Sequence, residues 1–241
     1  MSRIGPLIDK TRTKIAIIAY SLLNLTGFSR ITRKSTFTAK VQHSLWGGQI
    51  SKSGKGSDPE NTASLRKELP LVLSRLEIQS IIDAPCGDFS WQPAVFNGPK
   101  FNYLGLDIVE QLVNENNLCH ASEHIKFRQH DICSDKLIYS SQLIICRDCL
   151  VHLSFQEIRA SLIHFCDSDS LYLLTTTFIS PSVVNKNIVT GAWRPLNLAL
   201  PPFSFPEPIL SIPDHHFDNP DSGKTLGLWL LSSLENLPFL R

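Results

Sequence analysis

Three aspartates stand where short apolar runs end, and their spacing suits the binding of a nucleoside. Asp83, Asp107 and Asp131 each close or directly follow such a run. In a doubly wound sheet, ligands bind just beyond the carboxyl ends of the strands. An acidic residue about 20 positions after the first turn can accept hydrogen bonds from both ribose hydroxyls, and Asp107 has this position. Asp131 could then bind an adenine amino group.

The turn after the first of these runs reads D-A-P-C-G-D-F, over residues 83–89. Gly87 would let the backbone approach a ligand closely, and we expect a helix to follow the turn. Asp83 could instead only cap that helix. The chain has neither G-x-G-x-x-G nor a P-loop pattern, so a dinucleotide or a nucleotide triphosphate is disfavoured.

A second polar group, Arg147, Asp148 and His152, follows the fourth apolar run and supplies candidate catalytic residues. If this turn is helical, Asp148 and His152 share a face and could form a general base and the residue that orients it. Alternatively, Arg147 and Asp148 pair structurally and His152 helps to start a helix. Cys146 and Cys149 have half of a zinc spacing, but no second pair is suitably spaced, so we predict no metal site.

Trp193, Arg194 and Asn197 are candidate substrate-binding residues in a long proline-rich segment. An aromatic face stacks on sugar rings, and a guanidinium can bind a carboxylate or phosphate through two parallel hydrogen bonds. The sequence predicts contact with a sugar or another polar molecule here.

The elements that must position these residues are strands alternating with helices. Continuous apolar runs predict strands covered on both faces. They are residues 78–84, 103–108, 125–130, 143–146 and 171–178. Helical periodicity covers residues 62–76, and the S-x-x-E capping box of Ser154 and Glu157 starts another helix. This order predicts an α/β fold with a doubly wound, mostly parallel sheet and helices on both faces.

The remaining part of the fold is less regular. Residues 179–220 hold many prolines and predict a lid or binding loop without regular structure. Residues 224–234 are apolar again and are expected to return to the sheet or to pack on it.

As a set, the motifs resemble the class I, Rossmann-like methyltransferases that use S-adenosylmethionine (SAM). Residues 83–89 resemble their first motif, although Pro85 and Phe89 replace its usual glycines, and C-R-D-C-L-V-H-L (146–153) resembles their fourth-strand segment. Within this class the chain is similar to a largely uncharacterised methyltransferase-domain subgroup, over about residues 45–235. The features that carry this similarity are Trp46, S-x-S-G-x-G-S (51–57) and T-G-x-W-R-P-L-N-L (190–198).

The resemblance implies SAM as the cofactor. Asp107 matches the ribose-binding acid of the family, and Asp131 with Ile132 matches its adenine-contacting motif. The residues implied to bind the cofactor are Asp83, Ala84, Pro85, Cys86, Gly87, Asp107, Ile108, Asp131, Ile132 and Cys146. The loop 51–57 is either an inert linker or a segment that folds over the cofactor.

We expect the methyl acceptor to be a small molecule or a glycan, with O-methylation favoured. The formal net charge of the 241-residue chain is only +1, so nucleic acid is an unlikely partner. The alternative is a catalytically degenerate, methyltransferase-like binding module, because a fold alone never proves activity.

Residues 1–44 are predicted to form a basic and apolar N-terminal extension, ahead of one domain over residues 45–241. The apolar run 15–25 is shorter than the roughly 20 residues of a membrane-spanning helix. It either packs on the domain as a helix or anchors residues 1–34 to a membrane surface. Cysteines placed in strands indicate a reducing compartment, so we expect a cytoplasmic protein.

Overall fold

The computed structural model describes residues 32–96, 100–214 and 223–241, and their strands form one sheet. The strands are β1 (Ser80–Asp83), β2 (Asn102–Asp107), β3 (Ile125–Gln129), β4 (Leu143–Cys146), β5 (Tyr172–Phe178), β6 (Leu210–Pro213) and β7 (Lys224–Leu230). Their order across the sheet is β3-β2-β1-β4-β5-β7-β6. Neighbours among β1 to β5 pair in parallel, and β7 runs antiparallel to both β5 and β6.

The sheet is covered by helices on both faces. The helices are α1 (Arg33–Gln42), α2 (Ala63–Arg75), α3 (Glu110–His120) and α4 (Phe155–Cys166). Ile81 of β1 packs in the core that holds α2, whereas Ile82 packs in the core that holds α4. Successive residues of a strand point to opposite faces of the sheet, so the apolar run of β1 is buried on both faces. The predicted doubly wound, mostly parallel sheet is confirmed.

Both helices that were predicted from local signals are present. α2 spans the predicted periodic segment and continues through Pro70. α4 begins with the expected capping box, in which the Ser154 hydroxyl accepts from the Glu157 amide and the Glu157 carboxylate accepts from the Ser154 amide. These bonds satisfy amide groups that have no partner within the helix.

Two expectations were wrong. Over residues 84–96 the chain forms a single 3-10 turn, Gln92–Ala94, and not the expected helix. Phe89 is the reason, because it adopts a left-handed conformation (φ 53°) and packs its ring against Tyr103 and Phe127 in the core. The second wrong expectation is that residues 179–220 lack regular structure. They contain the four-residue strand β6, which is stabilised by pairing with β7.

Part of the predicted N-terminal extension belongs to the folded structure. Residues 33–42 form α1, and Phe37 and Val41 pack in buried apolar clusters. The apolar run 15–25 lies outside the described residues. Across the described ranges, no helix combines the length and hydropathy that crossing a membrane requires.

Candidate active site

A cavity of about 690 Å³ lies at the carboxyl edge of the parallel strands. The residues that follow β1, β2, β3 and β4 form its floor. α1 and the loop 53–57 form further walls, together with Trp193 and Lys224. This is where a doubly wound sheet places its ligands.

Asp107, at the end of β2, is buried beside the turn that follows β1. Its carboxylate accepts from the backbone amides of Gly87 (3.0 Å) and Val109 (2.8 Å). Burial raises the pKa of Asp107 to about 6, against the effect of these two hydrogen bonds. Gly87 has φ 59°, and a Cβ at this position would lie 2.2 Å from the Ser53 hydroxyl oxygen. Only glycine allows the loop and the turn to approach so closely.

Asp83, at the end of β1, is only 1% exposed. Its carboxylate accepts from the Tyr103 hydroxyl (2.6 Å) and from the Gln92 amide Nε2 (2.9 Å). Burial raises the pKa of Asp83 to about 7, although both hydrogen bonds act in the opposite direction. Sequence reasoning missed Gln92, because no motif or periodicity distinguishes it.

Asp131, after β3, binds an arginine from the N-terminal helix. Arg33 of α1 donates to both carboxylate oxygens of Asp131 at 2.7–3.0 Å and also binds Glu157 of α4. Burial acts to raise the pKa of Asp131, but these bonds lower it overall. Nothing in the basic N-terminal sequence distinguished Arg33 from its neighbouring cations.

The loop 51–57 folds over the cavity, which favours that interpretation over an inert linker. The hydroxyls of Ser51 and Ser53 donate to the Asp88 carboxylate at 2.9–3.1 Å. The carbonyl of Gly56 accepts from the Arg147 guanidinium (2.8 Å). The serines and glycines of this motif therefore hold the loop against the turn and against the end of β4.

Four charged side chains form a compact group after β4 and β6 and at the start of β7, which we call the ion cluster: Arg147, Asp148, Asp214 and Lys224. Lys224 donates to Asp148 (2.7 Å) and to Asp214 (3.0 Å). Arg147 lies 2.9 Å from Asp214 and 3.4 Å from Asp148.

Within the ion cluster, only Asp148 has a substantially exposed side chain, at 27%. The side chains of Arg147, Asp214 and Lys224 are at most 4% exposed. Burial acts to raise the pKa of Asp148, but the charges of Lys224 and Arg147 lower it overall. Asp148 thus faces the cavity as a carboxylate. Sequence reasoning missed Asp214 and Lys224, because they follow β6 and start β7, far along the chain from Arg147.

His152 receives its orientation from a backbone carbonyl and not from Asp148. Its Nδ1 lies 2.8 Å from the carbonyl oxygen of Ala192, so this nitrogen carries the proton and Nε2 is the acceptor. The imidazole packs on the Trp46 indole, with ring centroids 5.7 Å apart. Burial lowers the pKa of His152 to about 4. At neutral pH the imidazole is therefore neutral, and Nε2 carries a lone pair and no proton.

The proline-rich segment brings only one of its predicted residues to the cavity. Trp193 is 51% exposed, and its ring lies edge-on to Phe178 in the cavity wall. Arg194 is instead buried, with its guanidinium bound to the carbonyls of Leu150 and Leu153. Asn197 accepts from the Ala199 amide and does not reach the cavity. Arg194 and Asn197 hold the segment in place.

The structure brings most of the predicted cofactor residues together. Those that line the cavity are Asp83, Pro85, Cys86, Gly87, Asp107, Ile108, Asp131 and Ile132. Ala84 and Cys146 lie beneath them, with no side-chain surface exposed. The predicted catalytic group Arg147, Asp148 and His152 also lines the cavity.

Comparisons with known proteins support the fold. No protein-family model and no curated protein sequence matches the chain. Among solved structures, the N-methyltransferase NodS from Bradyrhizobium japonicum WM9, in complex with S-adenosylhomocysteine (SAH), is similar at 10% identity and a TM-score of 0.60. The match covers 81% of this chain and 98% of NodS.

Two further structures are similar over most of their length. Magnesium protoporphyrin IX methyltransferase (ChlM) from Synechocystis PCC 6803, with bound SAM, has 12% identity and a TM-score of 0.53, and the match covers 84% of this chain and 98% of ChlM. The methyltransferase domain of bacterial CtHen1 has 12% identity and a TM-score of 0.52, over 70% of this chain and 99% of that chain. The chain therefore has the class I, Rossmann-like methyltransferase fold.

Proposed function

We propose that this protein is a SAM-dependent methyltransferase that binds SAM in the cavity at the carboxyl edge of the sheet. The observation that carries the proposal is the pair of buried carboxylates, Asp83 and Asp107, on either side of the close turn at Gly87. Neither carboxylate has an ion-pair partner among the described residues. A bound cation that carries hydroxyl groups would supply a positive charge and hydrogen-bond donors to the two carboxylates.

The polar atoms of the cavity fit such a ligand. Gln92 Oε1, His130 Nε2 and Trp46 Nε1 are buried side-chain atoms without a hydrogen-bond partner in the described part of the chain. All three residues line the cavity. Buried polar groups are normally paired, so their presence together indicates a ligand with several hydrogen-bonding groups. SAM has such groups on its amino acid, its ribose and its adenine.

Each part of the cavity would hold a different part of SAM. Asp107 would accept from the ribose hydroxyls, and His130, Asp131 and Ile132 would surround the adenine. The turn at Asp83 and Gly87 would hold the amino acid portion. When bound, SAM supplies a methyl group that is activated by its attachment to a sulfonium.

The acceptor in this proposal is a small molecule with a hydroxyl group. In this proposal His152 would take the hydroxyl proton through Nε2, which is unprotonated at neutral pH. Asp148, kept ionised by Lys224, would accept a second hydrogen bond from the acceptor. Trp193 and Trp46 offer aromatic faces to a planar or sugar-like ring.

Calorimetric titration with SAM and SAH tests the cofactor assignment. We expect both to bind the wild-type protein, and we expect Asp107→Ala to weaken SAH binding by at least about 100-fold, since two hydrogen bonds to a charged group are lost. Glu123→Ala, which removes an exposed carboxylate outside the cavity, is the matched control and should bind SAH normally.

Folding of each variant is checked by circular dichroism before titration. If the folded wild-type protein binds neither SAM nor SAH, the proposal is wrong. If Asp107→Ala binds as tightly as the control, the assignment of Asp107 to the ribose is wrong.

A further inference from the structure

Gln92 carries a buried hydrogen-bond acceptor that no protein group satisfies. The residue is 2% exposed, lies on the 3-10 turn after β1 and lines the cavity. Its Oε1 has no hydrogen-bond partner among the described residues. An unsatisfied buried acceptor costs free energy in the unliganded protein.

The orientation of this amide is fixed by its neighbours. Nε2 of Gln92 donates to the Asp83 carboxylate (2.9 Å) and to the Cys86 carbonyl (2.8 Å). Both neighbours are acceptors, so turning the amide over would place its oxygen against two other oxygens and lose both bonds. Oε1 is therefore the atom left without a partner.

The nearest backbone acceptors of the turn are already used. The Cys86 carbonyl accepts from Gln92, and the Gly87 carbonyl accepts from the Asn116 side chain (2.8 Å). Asp83 adds a buried carboxylate beside Gln92. With these two carbonyls used, Gln92 Oε1 is the acceptor that remains beside the Asp83 carboxylate. A neutral acceptor next to a carboxylate suits an ammonium group, which carries donors only.

We propose that Gln92 Oε1 binds the ammonium group of the amino acid portion of SAM. This inference rests on the proposed function, and it adds a residue that lies outside every motif of the sequence. Asp83 supplies the negative charge, and Gln92 supplies a neutral acceptor whose direction is set by its own two donor bonds. The turn would therefore recognise the charged amino group and not only the nucleoside.

The experiment compares the binding of two ligands to the wild type, to one variant and to a matched control. The ligands are SAH and an analogue of SAH in which hydrogen replaces the amino group, here called deamino-SAH. The proteins are the wild type and Gln92→Met, which keeps the length of the side chain and removes the acceptor. Gln111→Met makes the same change at an exposed position outside the cavity and is the matched control.

We expect the wild type and the control to bind SAH roughly 10- to 100-fold more tightly than deamino-SAH, the range for a hydrogen bond to a charged group. In Gln92→Met this preference should fall to a few-fold at most. A merely structural role of Gln92, through its bonds to Asp83 and Cys86, would weaken both ligands equally and leave the preference unchanged. An unchanged preference would overturn the inference.

Two outcomes separate this inference from the proposed function. If the wild type binds neither ligand nor SAM, the proposed function has failed; if it binds SAH and the preference survives in Gln92→Met, only the inference has failed. If Gln92→Met does not fold, a crystal structure of the wild type with SAH decides. A ligand nitrogen within about 3.2 Å of Oε1 supports the inference, and a nitrogen directed elsewhere overturns it.

Discussion

The buried carboxylates in the two halves of the cavity differ in their ion-pair partners and in the direction in which their pKa values are shifted. In the cofactor half, after β1 and β2, Asp83 and Asp107 have no ion-pair partner within the described residues, and burial raises their pKa values to about 7 and about 6. In the acceptor half, which contains the ion cluster, Lys224 lies within 3.0 Å of both Asp148 and Asp214. Here the neighbouring cations lower the pKa of Asp148, although its burial acts in the opposite direction.

The cofactor half carries buried carboxylates without an ion-pair partner among the described residues, which a cationic ligand could provide. In the ion cluster, the charges already balance. Buried carboxylates without cations are destabilised in their ionised form, and such perturbed groups concentrate at functional sites. A cationic ligand would relieve that cost in the cofactor half. The ion cluster is neutral without a ligand, because its two cations balance its two carboxylates.

Asp131 belongs to the cofactor half but follows the other pattern. Its cation, Arg33, comes from α1 and also binds Glu157 of α4. This ion pair ties α1 to the main body of the fold at the adenine end of the proposed site. The contrast between the halves therefore concerns Asp83 and Asp107, which line the parts assigned to the amino acid and the ribose.

Breaking the ion cluster should have the largest effect on stability. Lys224→Met leaves two carboxylates with one arginine in a buried setting, and removal of one partner of a buried ion pair costs about 3–5 kcal/mol. We expect this loss in the free energy of unfolding measured with urea. Lys126→Met, at an exposed position on β3, is the matched control and should change the free energy by less than about 0.5 kcal/mol.

A double variant sharpens this prediction. Adding Asp148→Asn to Lys224→Met removes the excess negative charge and should recover part of the lost stability. No recovery would mean that Lys224 stabilises the fold through packing and not through charge.

Ionising the buried carboxylate of Asp83 costs free energy, so the free energy of unfolding should depend on pH. The pKa of Asp83 is raised by folding, so the native protein holds a proton that the unfolded chain has released, and stability is lost as the pH rises from about 4 to about 7. Asp83→Asn keeps one oxygen that can accept from both Tyr103 and Gln92, but it cannot ionise. Relative to wild type, the variant should gain about 2–4 kcal/mol across this window.

The comparison with wild type isolates Asp83 from groups that act in the opposite direction, such as His152. Asp169→Asn, at an exposed carboxylate, serves as the control and should run parallel to the wild type. Parallel curves for Asp83→Asn and wild type would show that Asp83 is not destabilised in its ionised form.

The sequence allowed the sheet and the floor of the site to be predicted, for local reasons. β4 is a continuous apolar run, and all four of its residues are buried, so its position and burial follow from composition alone. Asp83 and Asp107 come directly at strand ends, and parallel strands bring these ends to one edge. The start of α4 follows from a capping box within four residues.

The walls of the cavity could not be predicted, because they depend on contacts between distant parts of the chain. Arg33 binds a partner 98 residues away, and Lys224 binds one 76 residues away. No local pattern encodes such pairs. Gln92 lies where a helix was expected, on a 3-10 turn that follows the buried Phe89, and no local pattern encodes its hydrogen bond to Asp83.

The smallest effect concerns the proton on His152, the base proposed for the acceptor half. Burial lowers its pKa to about 4, so its proton NMR signal should titrate near this pH and the imidazole should be neutral above it. His152→Gln assigns the signal. Trp46→Ala opens one face of the ring to water, which should move the midpoint upward, toward the ordinary value of 6.5. A wild-type midpoint at or above 6.5 would mean that His152 is well hydrated and that burial does not lower its pKa.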